Sequence, residues 1–388
     1  MLCILQFIIT VSTQRNTRFK TVSNNIIEIF IVLCSSHPCE ICERKILFLS
    51  FTRPRPKIDV QKCHPGQTIV FLKTHKTGST TLARIIELYG FKHSLTFVRK
   101  IGEKGSIHFS NQNFNKKSVR KFLPPPNVTK GDYANYKYNI FTLHVRYNRA
   151  VLDTFMKEDP VYITILREPS AQFESAFSFF KLGRYIKKKT GVSKFQNFLS
   201  KPKKYPKAVS ASYSNNGQMF DLGLPKKDFR SVIAINKTIA RLDKQMNLVL
   251  VNEYYDESLV LLSKLLCWNL EDLLYLPKNE RPESNKSNMS EDIHQKARDW
   301  NHADTMLYSY FLKRLHKRIT DYGPSFQQDL LWFRNMKAEL RRNCVNGTVV
   351  GKKRMRYQSS NSSKTCEYHT EEASVMDKRI RKLMGASH

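Results

Sequence analysis

Short apolar runs alternate with amphipathic stretches along the middle of the chain. Runs rich in Val, Ile, Leu and Phe are typical of buried strands, whereas apolar residues that repeat every three or four positions indicate one face of a helix. The run Thr68–Lys73 precedes a helix predicted from Ser79 to about Tyr89, with Gly90 as its expected end. The other predicted elements are strands at Tyr138–Val145, Val161–Leu166 and Asn247–Val251 and a helix at Ser258–Trp268. This alternation predicts an α/β fold whose mainly parallel sheet has helices on both faces.

Composition divides the chain into three parts. Residues 1–62 are interpreted as an apolar leader or membrane anchor and a linker, because Arg53–Lys57 places two prolines among basic residues. Its apolar runs, Met1–Val11 and Ile26–Cys34, are shorter than the roughly 18–20 residues of a spanning helix, so an anchor and an ill-defined chain start both stay open. Residues 63–343 are the predicted folded domain. Residues 344–388 are a predicted basic, polar tail.

Two polar segments inside the domain are expected at its surface. Residues 104–132 contain three consecutive prolines, Pro124–Pro126, and are predicted to form a loop or insertion. Residues 181–208 are rich in lysine and are predicted to be solvated surface.

The charge balance indicates an anionic partner. The chain carries 65 Lys and Arg against 33 Asp and Glu, a formal charge of +32. A phosphate-rich cofactor, nucleic acid, an acidic glycan and a membrane surface all fit such a charge. Nucleic acid is the weaker interpretation, because the basic residues are spread along the chain without zinc-finger spacing or an aromatic RNA-binding signature.

Cysteines and glycosylation sequons bear on the compartment. Eight cysteines are present, and the Cys39–Cys42 pair has no second pair at zinc-finger distance, so a metal site is not expected. Six N-x-[ST] sequons favour a secretory route, in which disulfides can form. They begin at Asn127, Asn236, Asn285, Asn288, Asn346 and Asn361.

The segment Phe71–Thr81 (FLKTHKTGSTT) has the strongest chemical signal. It lies where a buried strand turns into a helix, so backbone N–H groups can converge on an anion at the positive helix N-terminus, with Lys76 adding a charge. A phosphate-binding loop is the natural interpretation, and an ordinary Thr- and Ser-rich helix cap is the competing one. The loop is not a Walker A motif, because Lys76 precedes the only glycine.

A second motif, Ile165–Ser175 (ILREPSAQFES), follows another predicted strand. A nucleotide triphosphatase would place an acidic residue there to hold magnesium, whereas this strand ends in Arg167. Arg167 offers a bidentate donor for a second phosphate, and Ser175 can supply a hydroxyl to the same group. The competing interpretation pairs Arg167 with Glu168 or Glu174 on the surface. Neither motif calls for a metal.

The two motifs together resemble the Golgi sulfotransferases that use 3′-phosphoadenylyl sulfate (PAPS), and F-L-K-T-H-K-T resembles the galactose-3-O-sulfotransferases in particular. The likeness extends over residues 63 to about 335 and includes His144–Asn148, Asn216–Gly223, Glu253–Leu262 and Leu266–Trp268. It implies a P-loop-like sulfotransferase fold, with residues 63–343 as the catalytic domain, PAPS as co-substrate and transfer to the 3-hydroxyl of a terminal β-galactose on a galactosylceramide-like glycolipid or a glycan. It also implies a lumenal domain at the Golgi membrane, single-pass type II if the leader is an anchor.

The resemblance assigns donor-binding residues to both motifs. The 3′-phosphate of PAPS falls to Arg167 and Ser175. The 5′-phosphosulfate falls to the loop residues Lys76, Thr77, Gly78, Ser79, Thr80 and Thr81.

Sulfuryl transfer needs a group that takes the proton of the attacking hydroxyl, and a neutral imidazole is the usual acceptor. His144 is the first choice, because related uronyl 2-O-sulfotransferases carry a catalytic histidine in a similar H-V-x-Y context, and His75 in the loop is the second. Each can instead be a buried structural histidine. Lys76 is expected to neutralise the leaving oxygen, and Glu253 either orients a histidine, holds a sugar hydroxyl or has only a structural role.

Two other functions stay open at this point. A secreted basic module that binds glycans without catalysis accounts for the charge and the sequons. A P-loop kinase or GTPase accounts for the anion loop, although the order of the loop and the missing acidic strand end disfavour it.

Overall fold

Four parallel strands form the central sheet of the computed structural model, which describes residues 63–102, 114–187, 190–211, 213–278, 289–350, 355–360 and 362–385. The strand order is β2-β1-β3-β4, with Leu72 beside Thr164 and Thr164 beside Val249. The strands are β1 (Ile69–Leu72), β2 (Ile140–Phe141), β3 (Val161–Leu166) and β4 (Leu248–Val251). The predicted α/β fold with a parallel sheet is therefore confirmed.

Helices flank this sheet, and most of the strand residues are buried among them. The first six are α1 (Ser79–Lys92), α2 (Arg149–Leu152), α3 (Pro169–Phe179), α4 (Lys194–Ser200), α5 (Pro206–Ser210) and α6 (Gly217–Asp221). The next five are α7 (Val232–Gln245), α8 (Tyr255–Leu266), α9 (Glu291–Trp300), α10 (His302–Tyr322) and α11 (Phe326–Cys344). Short 3-10 turns connect several of them.

Helix α1 does not end at Gly90, so that prediction is wrong. The helix continues to Lys92, and Gly90 lies inside it. A Cβ at Gly90 would stand 2.2 Å from Ile140 Cδ1 and 2.7 Å from Phe97 Cζ. Glycine is therefore needed there for close packing of α1 against β2 rather than for ending the helix.

Two expectations about secondary structure and exposure fail for tertiary reasons. The run Tyr138–Val145 is largely buried, but only Ile140 and Phe141 pair as a strand, beside β1. The lysine-rich residues 181–208 are not solvated throughout, because their apolar side chains form a second core with α3 and α9. That core buries Leu182, Ile186, Phe195, Phe198, Leu199 and Ala208.

Residues 344–385 pack on the domain although they are polar and basic. They form β5 (Val345–Val350), β6 (Met355–Ser359), α12 (Lys364–Thr370) and α13 (Ala373–Leu383), with β5 and β6 antiparallel. Buried ion pairs join this segment to the domain: Arg84 Nη2 lies 2.5 Å from Glu371 Oε1, and Arg99 Nε lies 3.0 Å from Asp377 Oδ1. The boundary drawn after residue 343 is thus not a boundary of the packed structure.

Two disulfides join distant parts of the described chain. Cys63 bonds Cys267 at the end of α8, and Cys344 bonds Cys366 in α12. No helix among the described residues is long and apolar enough to cross a membrane. The predicted leader or anchor and linker at residues 1–62, including the Cys39–Cys42 pair, lie outside the described residues.

Candidate active site

The loop between β1 and α1 lies at the carboxyl end of the sheet. Lys76 and Gly78 both have positive φ angles, 64° and 79°. A Cβ at Gly78 would lie 2.4 Å from Asn252 Oδ1, so the loop passes too close to its neighbour for a larger residue. Because the N-cap of α1 is Gly78, it has no side chain to cap this helix. The N–H of Thr81 donates to the carbonyl oxygen of Gly78, so an anion here would meet the N–H groups that precede it.

The loop's hydroxyl groups hold its shape. Thr77 Oγ1 lies 2.7 Å from Thr74 Oγ1, and Ser79 Oγ donates to the carbonyl oxygen of Thr74. Thr74 Oγ1 in turn donates to the carbonyl oxygen of Ile165 at the end of β3. The hydroxyls of Thr77 and Ser79 are therefore hydrogen-bonded within the protein. These two residues would contact an anion through their backbone N–H groups.

Thr81 connects the start of α1 to the C-terminal segment. Its Oγ1 accepts a hydrogen bond of 2.9 Å from the backbone N–H of Lys278. Lys278 Nζ donates to the carbonyl oxygens of His369 and Glu371 at the end of α12. Burial, together with the nearby charge of Arg84, lowers the pKa of Lys278 to about 7.

Arg167 lies beside the loop, because β1 and β3 are neighbouring parallel strands. Its Nη1 lies 3.3 Å from the carbonyl oxygen of Lys76. Glu168, the next residue, pairs with Arg298 and caps α3. Ser175 is buried on α3, two turns from the end of β3.

The backbone of Arg167 is fixed by a buried amide. Gln218 Oε1 accepts from the N–H of Arg167, and Gln218 Nε2 donates to its carbonyl oxygen. Asp304 accepts from the N–H groups of Gln218 and Met219 at the start of α6. Burial raises the pKa of Asp304 to about 7, although these hydrogen bonds oppose the shift.

His75 is paired with a buried carboxylate. Its Nδ1 lies 2.8 Å from Asp221 Oδ2, and its backbone N–H donates to the same oxygen, also at 2.8 Å. Tyr213 donates its hydroxyl proton to the other oxygen, Asp221 Oδ1, and its ring packs 4.2 Å from the ring of His75. A carboxylate at Nδ1 fixes the tautomer in which Nε2 is the proton acceptor.

His144 lies directly against His75. The two rings stack with centroids 4.1 Å apart. His144 Nδ1 lies 3.0 Å from the carbonyl oxygen of Lys73, which can only accept, so Nδ1 carries the proton here as well. The structure therefore brings both predicted histidines to one place, with His75 in the loop and His144 packed against it.

Asp221 is the residue of this candidate site that the sequence did not point to. It stands in the segment Asn216–Gly223, which carries part of the family likeness, but it is 146 positions from His75. The signal that could have identified Asp221 is its position as an acidic residue inside a segment that carries the family likeness. Glu253, by contrast, does not bond either histidine: it accepts from the N–H of Glu168 and from the hydroxyl of Tyr308.

The site combines a basic anion-binding loop with a histidine and carboxylate pair. Among the described residues no group of three or more His, Cys, Asp or Glu is arranged to hold a metal ion. Lys76, Arg167 and the N-terminus of α1 supply the positive field of the site. This set can bind a phosphorylated donor and remove a proton from an acceptor hydroxyl.

The chain is similar to known proteins of one family. The family model described as galactose-3-O-sulfotransferase matches residues 13–374. The chain is 31% identical to mouse galactosylceramide sulfotransferase over 291 residues, which is 74% of this chain and 66% of that protein. It is 32% identical to the human galactosylceramide sulfotransferase over 292 residues, with the same coverage of both chains.

A third relative carries a different name. Mouse galactose-3-O-sulfotransferase 3 is 30% identical over 291 residues, covering 73% of this chain and 64% of that protein. The matches thus span slightly less than two thirds of these relatives' own length. From the extent of the family match and the identity to these relatives, the chain belongs to the galactose-3-O-sulfotransferase family.

Proposed function

We propose that this protein transfers a sulfuryl group from PAPS to the 3-hydroxyl of a terminal β-galactose on a glycolipid or glycan. The observation that carries the proposal is the pairing of Asp221 with His75, a residue of the candidate anion-binding loop, in a chain of this family. PAPS supplies a sulfuryl group on a good phosphate leaving group, and the protein supplies binding, orientation and proton transfer.

The residues present fit a donor that is anionic at both ends. The N–H groups at the start of α1 and Lys76 form one positive point, and Arg167 forms the second on the neighbouring strand. Both points lie at the carboxyl ends of β1 and β3, which are neighbours in the sheet. The chain passes from β1 to β2 on one side of β1, whereas β3 and β4 lie on its other side, so the strand order reverses between β1 and β3. Open α/β sheets bind their ligands at such a switch point. We assign the 5′-phosphosulfate to the loop and the 3′-phosphate to Arg167 and Ser175.

His75 is the better candidate for the general base, although the sequence ranked His144 first. The buried carboxylate of Asp221 holds the ring of His75 and stabilises the imidazolium that forms when Nε2 takes a proton. His144 has only a neutral backbone carbonyl at Nδ1. We therefore assign His144 to positioning His75 through the ring stack and assign Lys76 to the charge that develops on the leaving oxygen.

The two alternative functions account for less of the site. A module that only binds glycans does not need a histidine oriented by a buried carboxylate. A kinase or GTPase would hold magnesium with an acidic residue at the end of β3, where this chain has Arg167.

Sulfate incorporation tests the proposal directly. The purified protein is incubated in EDTA with PAPS labelled in the sulfuryl group and with galactosylceramide, lactosylceramide, a β-galactose-terminated N-glycan and matched β-glucosides. Label transferred to galactosides and not to glucosides supports the proposal, and comparison of kcat/KM between lipid and glycan identifies the acceptor class. Binding of glycans without any transfer would instead support the glycan-binding module.

Arg167→Ala is expected to weaken PAPS binding more than it slows chemistry, since the 3′-phosphate is remote from the transferred group. A charge-assisted bidentate contact is worth about 1.5–3 kcal/mol, so Kd for the 3′,5′-diphosphate product should rise roughly ten- to a hundredfold. Calorimetry measures this Kd. Arg298→Ala is the control, because it removes a neighbouring arginine that pairs with Glu168. An unchanged Kd in Arg167→Ala would remove this residue from the donor site.

We also propose that the domain lies in the Golgi lumen. Two disulfides in the described chain are typical of proteins from oxidising compartments. Asn127, the first residue of the Asn-Val-Thr sequon, is exposed in a turn in which the N–H of Val128 donates to the carbonyl oxygen of Pro125. With Pro126 before it and a φ of 64°, Asn127 occupies the third position of a type II turn.

Asn127→Gln is expected to remove one N-linked glycan, because the exposed turn presents this side chain to solvent. The shift in gel mobility is read with and without peptide N-glycosidase in cells that express the tagged chain, alongside a Golgi marker. Thr129→Ala removes the hydroxyl residue of the same sequon and should reproduce the shift. If the glycosidase leaves the gel mobility of the wild-type chain unchanged, passage through the secretory route is contradicted.

A further inference from the structure

An exposed aromatic side chain lies at the mouth of the candidate active site. Phe179, the last residue of α3, is 60% exposed, while its neighbour Phe177 on the same helix is buried in the second core. Exposing a phenylalanine to this extent gives up apolar burial that the fold does not recover. Other large apolar side chains are exposed as well, so it is the neighbours of Phe179, and not its exposure alone, that indicate a role.

Phe179 contacts the reacting end of the loop. Lys76 Nζ lies 4.1 Å from the centroid of its ring, close enough for a cation–π interaction. Lys76 is the residue assigned to the leaving oxygen. The exposed ring therefore borders the place where the sulfuryl group would be transferred from donor to acceptor.

A continuous row of rings leads from Phe179 to the proposed base. Phe179 meets Phe180 edge to face at 5.1 Å, and Phe180 stacks on Tyr213 at 4.7 Å. Tyr213 packs on His75 at 4.2 Å. The rings thus form one wall that connects the exposed Phe179 to the proton acceptor.

The chemistry of galactose fits such a wall. Its axial 4-hydroxyl leaves one face of the ring with neighbouring C–H groups at C3, C4 and C5, and this apolar face packs on an aromatic ring. The equatorial 3-hydroxyl lies at the edge of that face. A sugar stacked on the exposed ring can therefore turn its 3-hydroxyl toward Lys76 and His75 while its other hydroxyls remain in water.

We propose that Phe179 is the stacking platform for the acceptor galactose, and that Phe180 and Tyr213 hold this ring in place. The inference rests on the proposed function, since it concerns the acceptor of that same site. It assigns Phe179 to acceptor binding and not to binding of PAPS.

Phe179→Ala is expected to raise KM for a β-galactoside roughly three- to tenfold or more, with kcat within a few-fold of wild type and Kd for 3′,5′-ADP unchanged. Phe179→Tyr and Phe179→Trp, which keep a flat ring, should retain wild-type KM. Ile233→Ala is the matched control, because Ile233 is 83% exposed on α7 and outside the site. It should change neither constant.

A binding measurement makes the test independent of turnover. Saturation-transfer NMR with methyl β-galactoside is recorded on the wild-type protein and on Phe179→Ala, each saturated with 3′,5′-ADP. Loss of the signals of the C–H groups at C3, C4 and C5 in Phe179→Ala supports the platform, even if no transfer is detected and the proposed function fails. Unchanged galactoside binding and KM in Phe179→Ala overturn the inference, and so does a weaker Kd for 3′,5′-ADP with unchanged acceptor KM.

Discussion

His75→Ala is expected to lower kcat by roughly 10²–10⁴ and to leave Kd for PAPS and for 3′,5′-ADP nearly unchanged. The imidazole takes the proton of the attacking hydroxyl, which matters in the transition state and not in binding the donor. Its Nδ1 is held by Asp221 and its ring by Tyr213 and His144, so the lost group is an oriented one. Single-turnover sulfation with labelled PAPS separates the chemical step from product release.

His144→Ala provides the comparison. If His144 only positions the neighbouring ring, the variant loses a stacking interaction, which limits the loss of kcat to about tenfold. Near-normal activity of His75→Ala with a strong defect in His144→Ala would exchange the two roles. Full turnover by both variants would exclude both histidines as the base. Melting temperatures of all variants are needed, because a buried ring that only fills space also lowers activity through loss of folded protein.

Asp221→Asn is expected to lower kcat by a similar factor, roughly 10²–10⁴, although it changes almost no volume. The substitution removes the negative charge that stabilises the imidazolium of His75. It also allows an amide N–H to face Nδ1, which favours the tautomer whose Nε2 cannot accept a proton. The measurement is the pH profile of kcat, since a carboxylate that acts through His75 shifts this profile and a purely structural one does not.

Tyr213→Phe is the control for Asp221→Asn. It deletes the hydroxyl that donates to Asp221 Oδ1 but keeps both the carboxylate and the ring beside His75. Its loss of kcat should be much smaller than that of Asp221→Asn. Equal losses in the two variants, with an unchanged pH profile, would mean that the carboxylate only supports the packing of this wall.

The local motifs could be predicted because neighbouring residues determine them. The strands Ile69–Leu72, Val161–Leu166 and Leu248–Val251 coincide closely with their apolar runs. The loop with Lys76 follows β1 and Arg167 follows β3, as the sequence indicates. Since parallel neighbours end at the same edge of a sheet, the meeting of these two residues also follows from the strand order.

Other features depend on contacts between distant segments. Asp221 meets His75 across 146 positions, and no local pattern encodes that pairing. Gly90 resembles a helix end until Ile140 is seen packed against it. The buried phenylalanines of residues 181–208 are hidden by the surrounding lysines, whose charges dominate the composition while α3 and α9 cover the apolar side chains.

The Cys63–Cys267 bond has a consequence for the order of biosynthesis. Its two cysteines are 204 positions apart, and all four strands of the central sheet lie between them. At about 5–20 residues per second, the ribosome needs roughly 10–40 s to proceed from the first cysteine to the second. The thiol of Cys63 must therefore stay reduced, or exchange out of mispaired bonds, until β4 and α8 have been made.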